Sequence, residues 1–274
     1  MPGPSLPDPR GNGPLVRWYD RHGRHDLPWR HTRDRWAVLV AEVMLAQTQV
    51  ARVLLVWEPF VERFPSPAAM AAAAPGDVIA AWGRLGYPRR ARRLWETATI
   101  IGRDGWPADL TELPGIGRYT AGAVRAEADD DPDAIGVDVN IRRVCERVVG
   151  TRLGDAAATT VAARLARPLR GRDRLLALMD LGALVCTPRT PRCADCPLRR
   201  RCATRGVGDF EVRNRQPRYE GSFRQRRGMV LAALRDRDRH GAGVAVGELD
   251  GEALHSLVAD ALAEITLGYA HLPR

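Results

Sequence analysis

Four cysteines fall within 17 residues, as Cys186-x6-Cys193-x2-Cys196-x5-Cys202. No other feature restricts the fold of this chain so strongly. Thiolates this dense can surround one metal centre, and the x2 step puts two ligands on a single turn. Zinc and a [4Fe–4S] cluster both accept four thiolates, and spacing alone does not choose between them. Either would fix a loop and present the arginines of "PLRRRCATR". Disulfides are not expected. The opening "MPGPSLPDPRGNGP" has no apolar core of a signal peptide, so the expected location is the cytoplasm, where thiols stay reduced. Cys145 sits in a helical stretch with Val144 and Val148 and reads as a small core residue.

Most of what precedes the cysteines has helical spacing and good helix formers, as in "SPAAMAAAAPGDVIAAWGRLGY". Breaks fall at Pro65, Pro75, Pro107, Pro114 and Pro132. The fold class is therefore all-α. The expected organisation is a disordered tail over 1–13, a helical domain over 14–206, a charged linker over 207–225 and a small module over 226–274. That module has room for two or three short helices and a strand or two. No uncharged apolar run reaches the roughly 18 residues a membrane helix needs. The net charge of +9 favours a polyanionic partner, nucleic acid first. All 42 basic residues are arginine; the chain has no lysine.

Three further stretches carry chemistry. In "ELPGIGRYTAGAV", Pro114, Gly115 and Gly117 make a tight turn between helical segments. The backbone N–H groups at the next helix start, beside Arg118, can hold a phosphate. This is a helix-hairpin-helix pattern. In "AIGVDVNIRRVCERVVG", Asp138 and Asn140 precede a helix. An aspartate there is ordinarily a cap, but the hairpin upstream and the cysteines downstream mark it for more. In "AEVMLAQTQV", Glu42 has Val38, Leu39, Leu45 and Ala46 as helical neighbours, all apolar.

Taken with "LPWR", "GRLGYPRRARRL" and "MDLGALVCTPRTPRCADCPLRRRC", these stretches resemble the helix-hairpin-helix DNA glycosylases with an iron–sulfur cluster, and within them the MutY-type adenine DNA glycosylases. The likeness runs in order over about 14–206. It implies a two-lobed helical fold with DNA across the lobes, a six-helix lobe over about 36–140, and a cluster lobe from 14–35 and 141–206. It also implies a [4Fe–4S] cluster on Cys186, Cys193, Cys196 and Cys202. Asp138 takes the place of the catalytic aspartate and Glu42 that of the general acid. Tyr119 and Asn140 support the sugar and Asp138. Gln47, with Thr48 beside it, and Tyr87 enter the duplex, and Pro114, Gly115, Gly117 and Arg118 lie on the phosphates.

The chemistry agrees. Adenine departs readily when protonated at N7, and a carboxyl in apolar surroundings keeps a proton to give. A charged Asp138 would steady the oxocarbenium-like sugar. Relatives that also cut the strand carry a Schiff-base lysine where this chain has Tyr119. With no lysine, only the α-amine could form an imine, so the expected reaction is monofunctional hydrolysis. The expected partner is mismatched double-stranded DNA bound by a monomer, with adenine opposite 8-oxoguanine or guanine as target. Many relatives carry a Nudix-like domain that checks the 8-oxoguanine; the residues after the linker are too few for one. A thymine or uracil mismatch glycosylase is the nearest rival; it shares hairpin, tyrosine and cluster but lacks an acid at the Glu42 position. A non-catalytic DNA-binding protein with a structural four-cysteine metal site is a rival of another class, against which Glu42 and Asp138 both speak.

Overall fold

The computed structural model describes residues 13–205, 218–238 and 242–274. All but the last residue of the expected tail, and positions 207–217 of the expected linker, lie outside them. Along the chain run α1 (Pro14–His22), α2 (Arg35–Leu45), α3 (Val50–Val53), α4 (Trp57–Arg63), α5 (Pro67–Ala71), α6 (Pro75–Trp82) and α7 (Arg89–Asp104). Then come α8 (Arg118–Glu127), α9 (Val139–Val149), α10 (Asp155–Leu165) and α11 (Gly171–Asp180), which passes into a π-helical turn, Leu181–Val185. The remainder is α12 (Phe223–Asp238), β1 (Val244–Ala245), α13 (Gly251–Ala259), β2 (Glu264–Thr266) and β3 (Tyr269–His271). Pro75 opens α6 rather than merely ending what precedes it, because an N-terminal helical position needs no N–H. Among the described residues no helix is long and apolar enough to cross a membrane.

Chain contacts divide the described residues into two compact units, 13–38 with 117–205, and 39–116 with 218–238 and 242–274. The first therefore takes in 117–140, which the sequence grouped with the six-helix lobe. The physical reason is small-residue packing: Ala123, Ala126 and Ala134 share the buried core of Ile141, Val144, Leu175, Leu178, Leu181 and Val185. The second unit takes in the C-terminal module. Its antiparallel sheet has the order β1-β3-β2, with Val244 and Ile265 both opposite Ala270. Among the described residues the regular structure is helical apart from this sheet.

A fully buried carboxylate ties the first unit together. Asp180, the aspartate of "MDLGA", accepts from the Arg24 N–H at 2.8 Å, Arg24 Nε at 2.7 Å, and both terminal nitrogens of Arg30 at 2.8 Å. Burial would raise its pKa, but Arg30 and Arg24 outweigh that and hold it below the usual carboxylate range. Arg30 is the arginine of "LPWR", so two distant motifs meet in one ion cluster.

Glu127, at the end of α8, is also buried. Burial pushes its carboxyl up to about 7, against the pull of Arg172, Arg30 and Arg33. The folded state thus prefers the protonated form. Its ionisation costs stability as pH rises from the ordinary glutamate range through about 7. Glu127→Gln should match the parent in thermal unfolding at pH 5 and exceed it by roughly 2–4 °C at pH 8. A gap that shrinks with rising pH would contradict this.

Candidate active site

The first unit places Asp138 as the N-cap of α9. Its Oδ1 accepts from the Ile141 N–H at 2.7 Å, and its Oδ2 accepts from Asn140 Nδ2 at 2.6 Å. Both oxygens are therefore held, and the positive end of the helix faces the carboxylate. Burial still raises the pKa of Asp138 above its ordinary value; the Ile141 and Asn140 hydrogen bonds and nearby Arg143 act the other way. Val139, the next residue, is 75% exposed, so the capped turn opens to solvent at its apolar neighbour.

Asn140 is itself fixed from below by Arg143, a residue the sequence did not single out. Arg143 Nη2 donates to Asn140 Oδ1 at 2.8 Å and to Gly182 O at 2.7 Å, and its Nε donates to Cys186 O at 2.7 Å. One guanidinium thus joins the Asp138 cap to the π-helical turn and to the first of the four cysteines. Gly182 is required there, since a Cβ would lie 2.8 Å from Asn140 Cβ and 2.9 Å from Asn140 O. Tyr119, on α8, lies in the same unit with its hydroxyl 3.6 Å from Met179 Sδ.

Cys186, Cys193, Cys196 and Cys202 are free, half-buried thiols that line one cavity with Val144, Leu181, Val185 and Leu198. Donors point at two of the sulfurs: Arg147 Nη1 at 3.5 Å from Cys186 Sγ, and the Arg205 N–H at 3.4 Å from Cys202 Sγ. Among the described residues no three His, Cys, Asp or Glu converge as the ligands of a single ion do. Four thiols on an apolar cavity, with cationic and N–H donors to sulfur, suit a thiolate-bound cluster. Cys145 is in the core, and burial pushes its thiol up to about 12.

The second unit holds Glu42, near the end of α2. From Trp36 to Met44 this helix is buried all round, and Glu42 is only 4% exposed. Beyond it Leu45 is half-buried and Ala46 exposed, so Glu42 lies one turn from the surface. Arg90, at the start of α7, closes that helix end. Its Nη1 donates to the carbonyls of Val43 (2.7 Å), Met44 (3.1 Å) and Ala46, and its Nη2 to Thr48 Oγ1 (2.8 Å) and Gly86 O (3.2 Å). The same guanidinium lies over the Tyr87 ring, 5.1 Å from its centroid. Gln47 and Tyr87 flank it with φ of +59° and +50°, a left-handed conformation uncommon outside glycine. Both are exposed, Gln47 on one loop and Tyr87 on the other.

Along the hairpin, the Pro114 carbonyl accepts from Thr97 Oγ1 at 3.1 Å, and Gly115 turns with φ +77°. Gly117 is the N-cap of α8, whose start has no side-chain cap. Arg118 is exposed and lies 3.6 Å from Asp155. Asp138, Asn140, Tyr119 and the cysteines belong to one unit; Glu42, Gln47, Thr48 and Tyr87 belong to the other.

Residues 40–170 match the family of HhH-GPD superfamily base excision DNA repair proteins. An adenine DNA glycosylase of Mycobacterium tuberculosis is 43% identical over 297 residues, covering 96% of this chain and 95% of the relative. A thymine-DNA glycosylase of Aeropyrum pernix is 36% identical over 203 residues, covering 69% of this chain and 91% of its own. Among solved structures, a thermostable thymine-DNA glycosylase superposes with a TM-score of 0.62 at 28% identity, over 69% of this chain and 92% of its own. With identity running over nearly the full length of the mycobacterial relative, the chain belongs to the adenine DNA glycosylases of the HhH-GPD superfamily.

Proposed function

We propose that this glycosylase removes adenine paired with 8-oxoguanine or guanine by hydrolysing the N-glycosidic bond of a flipped nucleotide, leaving an abasic site. Flipping costs a few kcal/mol. Gln47 and Tyr87 would fill the vacated stack, and the Pro114–Gly117 turn and Arg118 would hold the phosphates. Glu42 gives a proton to adenine N7. Asp138, as the carboxylate, steadies the sugar cation, and Asn140 and Tyr119 support it.

The observation that carries this reading is the buried glutamate in a helix otherwise apolar on every side. Pyrimidine departure gives such a group no task, whereas purine departure needs a proton donor. The state of Asp138 adds a second argument. Burial leaves its charge under-compensated and so raises its pKa. A positive sugar supplies what is missing, whereas a neutral substrate does not. The interaction therefore strengthens in the transition state, which is the condition for catalysis.

Cys186, Cys193, Cys196 and Cys202 would hold a [4Fe–4S] cluster, which when bound anchors the loop between them. Absorbance near about 400 nm would distinguish it from zinc. With tyrosine at 119 and no lysine in the chain, no strand cleavage accompanies base release.

Duplexes with one mismatch each test the reading: A opposite 8-oxoguanine, G or C, and T or U opposite G, followed by alkali. Cutting is expected at A opposite 8-oxoguanine and G. Cutting confined to T or U would replace the proposal with the pyrimidine alternative. Glu42→Gln should slow adenine release by about 10²–10⁴-fold. An unchanged rate would remove Glu42 from the chemistry.

A further inference from the structure

Residues 218–274 are fastened to α6 and to the turn that follows it at three points. At the start of α6 the Gly76 N–H donates to Pro273 O at 2.8 Å. A Cβ on Gly76 would fall 2.5 Å from that oxygen and 2.8 Å from Leu272 Cβ, so a residue without a side chain is needed to seat the end of the module. At the other end of α6, Arg235 of α12 donates to Gly83 O, where the backbone turns with φ +57°. At the start of α7, Arg89 pairs with Asp260, which also accepts from Arg227 Nη2 at 2.5 Å. Gly83 and Arg89 bracket the segment 84–88, and Tyr87 is inside it.

The module's interior explains why it can serve as a fixed body. Leu231, Leu234, Leu254, Leu257, Leu262 and Leu272 are all buried. Its charge shows what it is not built for. Residues 218–274 contain eight arginines and eight acidic residues, so the chain's net +9 lies wholly before them. Three of the acids are paired with arginines: Asp260 as above, and Asp250 and Glu252 with Arg226. Such a body lacks the surplus of cations with which proteins grip phosphates.

We propose that the C-terminal module is a positioning element for Tyr87, acting through Arg235 at Gly83 and Asp260 at Arg89. This rests on the role given above to Tyr87 in the duplex. A bulky residue at φ +50° holds that conformation only where its surroundings impose it. The module grips the segment at both ends, and Arg90 holds it from within. Asp260 and Arg235 touch no substrate; they act by keeping the tyrosine where the duplex must open.

The test uses the full chain and a duplex with 2-aminopurine beside the target adenine, whose fluorescence rises when stacking is broken. Asp260→Ala and Arg235→Met should each lower both the fluorescence rise and the single-turnover rate by about tenfold. Duplex affinity should stay within about threefold. Asp260→Glu should recover most of both losses. Tyr87→Ala is the reference. If it loses the signal while Asp260→Ala and Arg235→Met keep parent values, the module does not position Tyr87. If Tyr87→Ala keeps the signal too, the reading of Tyr87 itself fails and the proposal falls with it. Should Asp260→Ala not fold, Asp260→Asn, which keeps the shape but loses the charge that holds Arg89 and Arg227, carries the same expectation.

Discussion

Asp138→Asn will release adenine about 10³-fold more slowly than the parent while keeping its fold and its hold on duplex DNA. Asparagine caps a helix as well as aspartate does, so α9 still starts at the same place. Its side-chain oxygen can still accept the Ile141 N–H. What disappears is the charge that would face the sugar cation, together with the hydrogen bond from Asn140 Nδ2, which an amide nitrogen cannot accept. The variant should melt close to the parent's temperature at neutral pH, because removing a charge that burial makes a cost to the folded state offsets the lost Asn140 hydrogen bond. The same fact fixes the acid side of the parent's rate profile. Activity needs the carboxylate, its pKa is raised, and so the rate should fall with decreasing pH above the range of an exposed aspartate. Parent-like turnover by the variant would take Asp138 out of the reaction; a collapsed melting temperature would show it to be a structural residue first.

Asp180→Ala is expected to be the most damaging single change to the first unit. It strips four hydrogen bonds from a carboxylate that is 0% exposed, and leaves Arg30, itself almost wholly buried, without its counter-ion. Breaking one side of a buried pair costs about 3–5 kcal/mol, which corresponds to a fall of roughly 10 °C or more in Tm for a domain of this size. Because Asp180 is followed by the π-helical turn and then Cys186, the loss should spread to the cysteine loop. Thermal unfolding checks the first expectation and visible absorbance the second. A variant melting within about 2 °C of the parent would mean that the ion cluster contributes little.

The helical span could be read in the chain because apolar spacing and proline placement are local. The start of α9 could be read because aspartate two positions before asparagine, ahead of an apolar face, is a local cap. Arg143 and Arg90 could not. Each makes its bonds to backbone carbonyls far away in sequence, and in a chain with 42 arginines one more carries no pattern. The strands of the module could be expected only as one or two without positions, since two or three residues are too few for alternation to register. The seating of residues 218–274 on α6 depends on Gly76, whose need shows only when Pro273 is laid against it. The surroundings of Glu127 were hidden too, because its arginines come from "LPWR" and α11 and are not adjacent to it in sequence.

The isolation of Cys145 has a practical corollary. A fully buried sulfur with its proton held to about 12 will ignore iodoacetamide at neutral pH, and Cys196, which burial pushes up to about 11, is slowed in the same way, so brief alkylation of the native protein followed by mass spectrometry reads chiefly Cys186, Cys193 and Cys202. The number of tags per molecule would then gauge how completely a preparation is loaded with the proposed cluster, and Cys145 serves as a built-in blank.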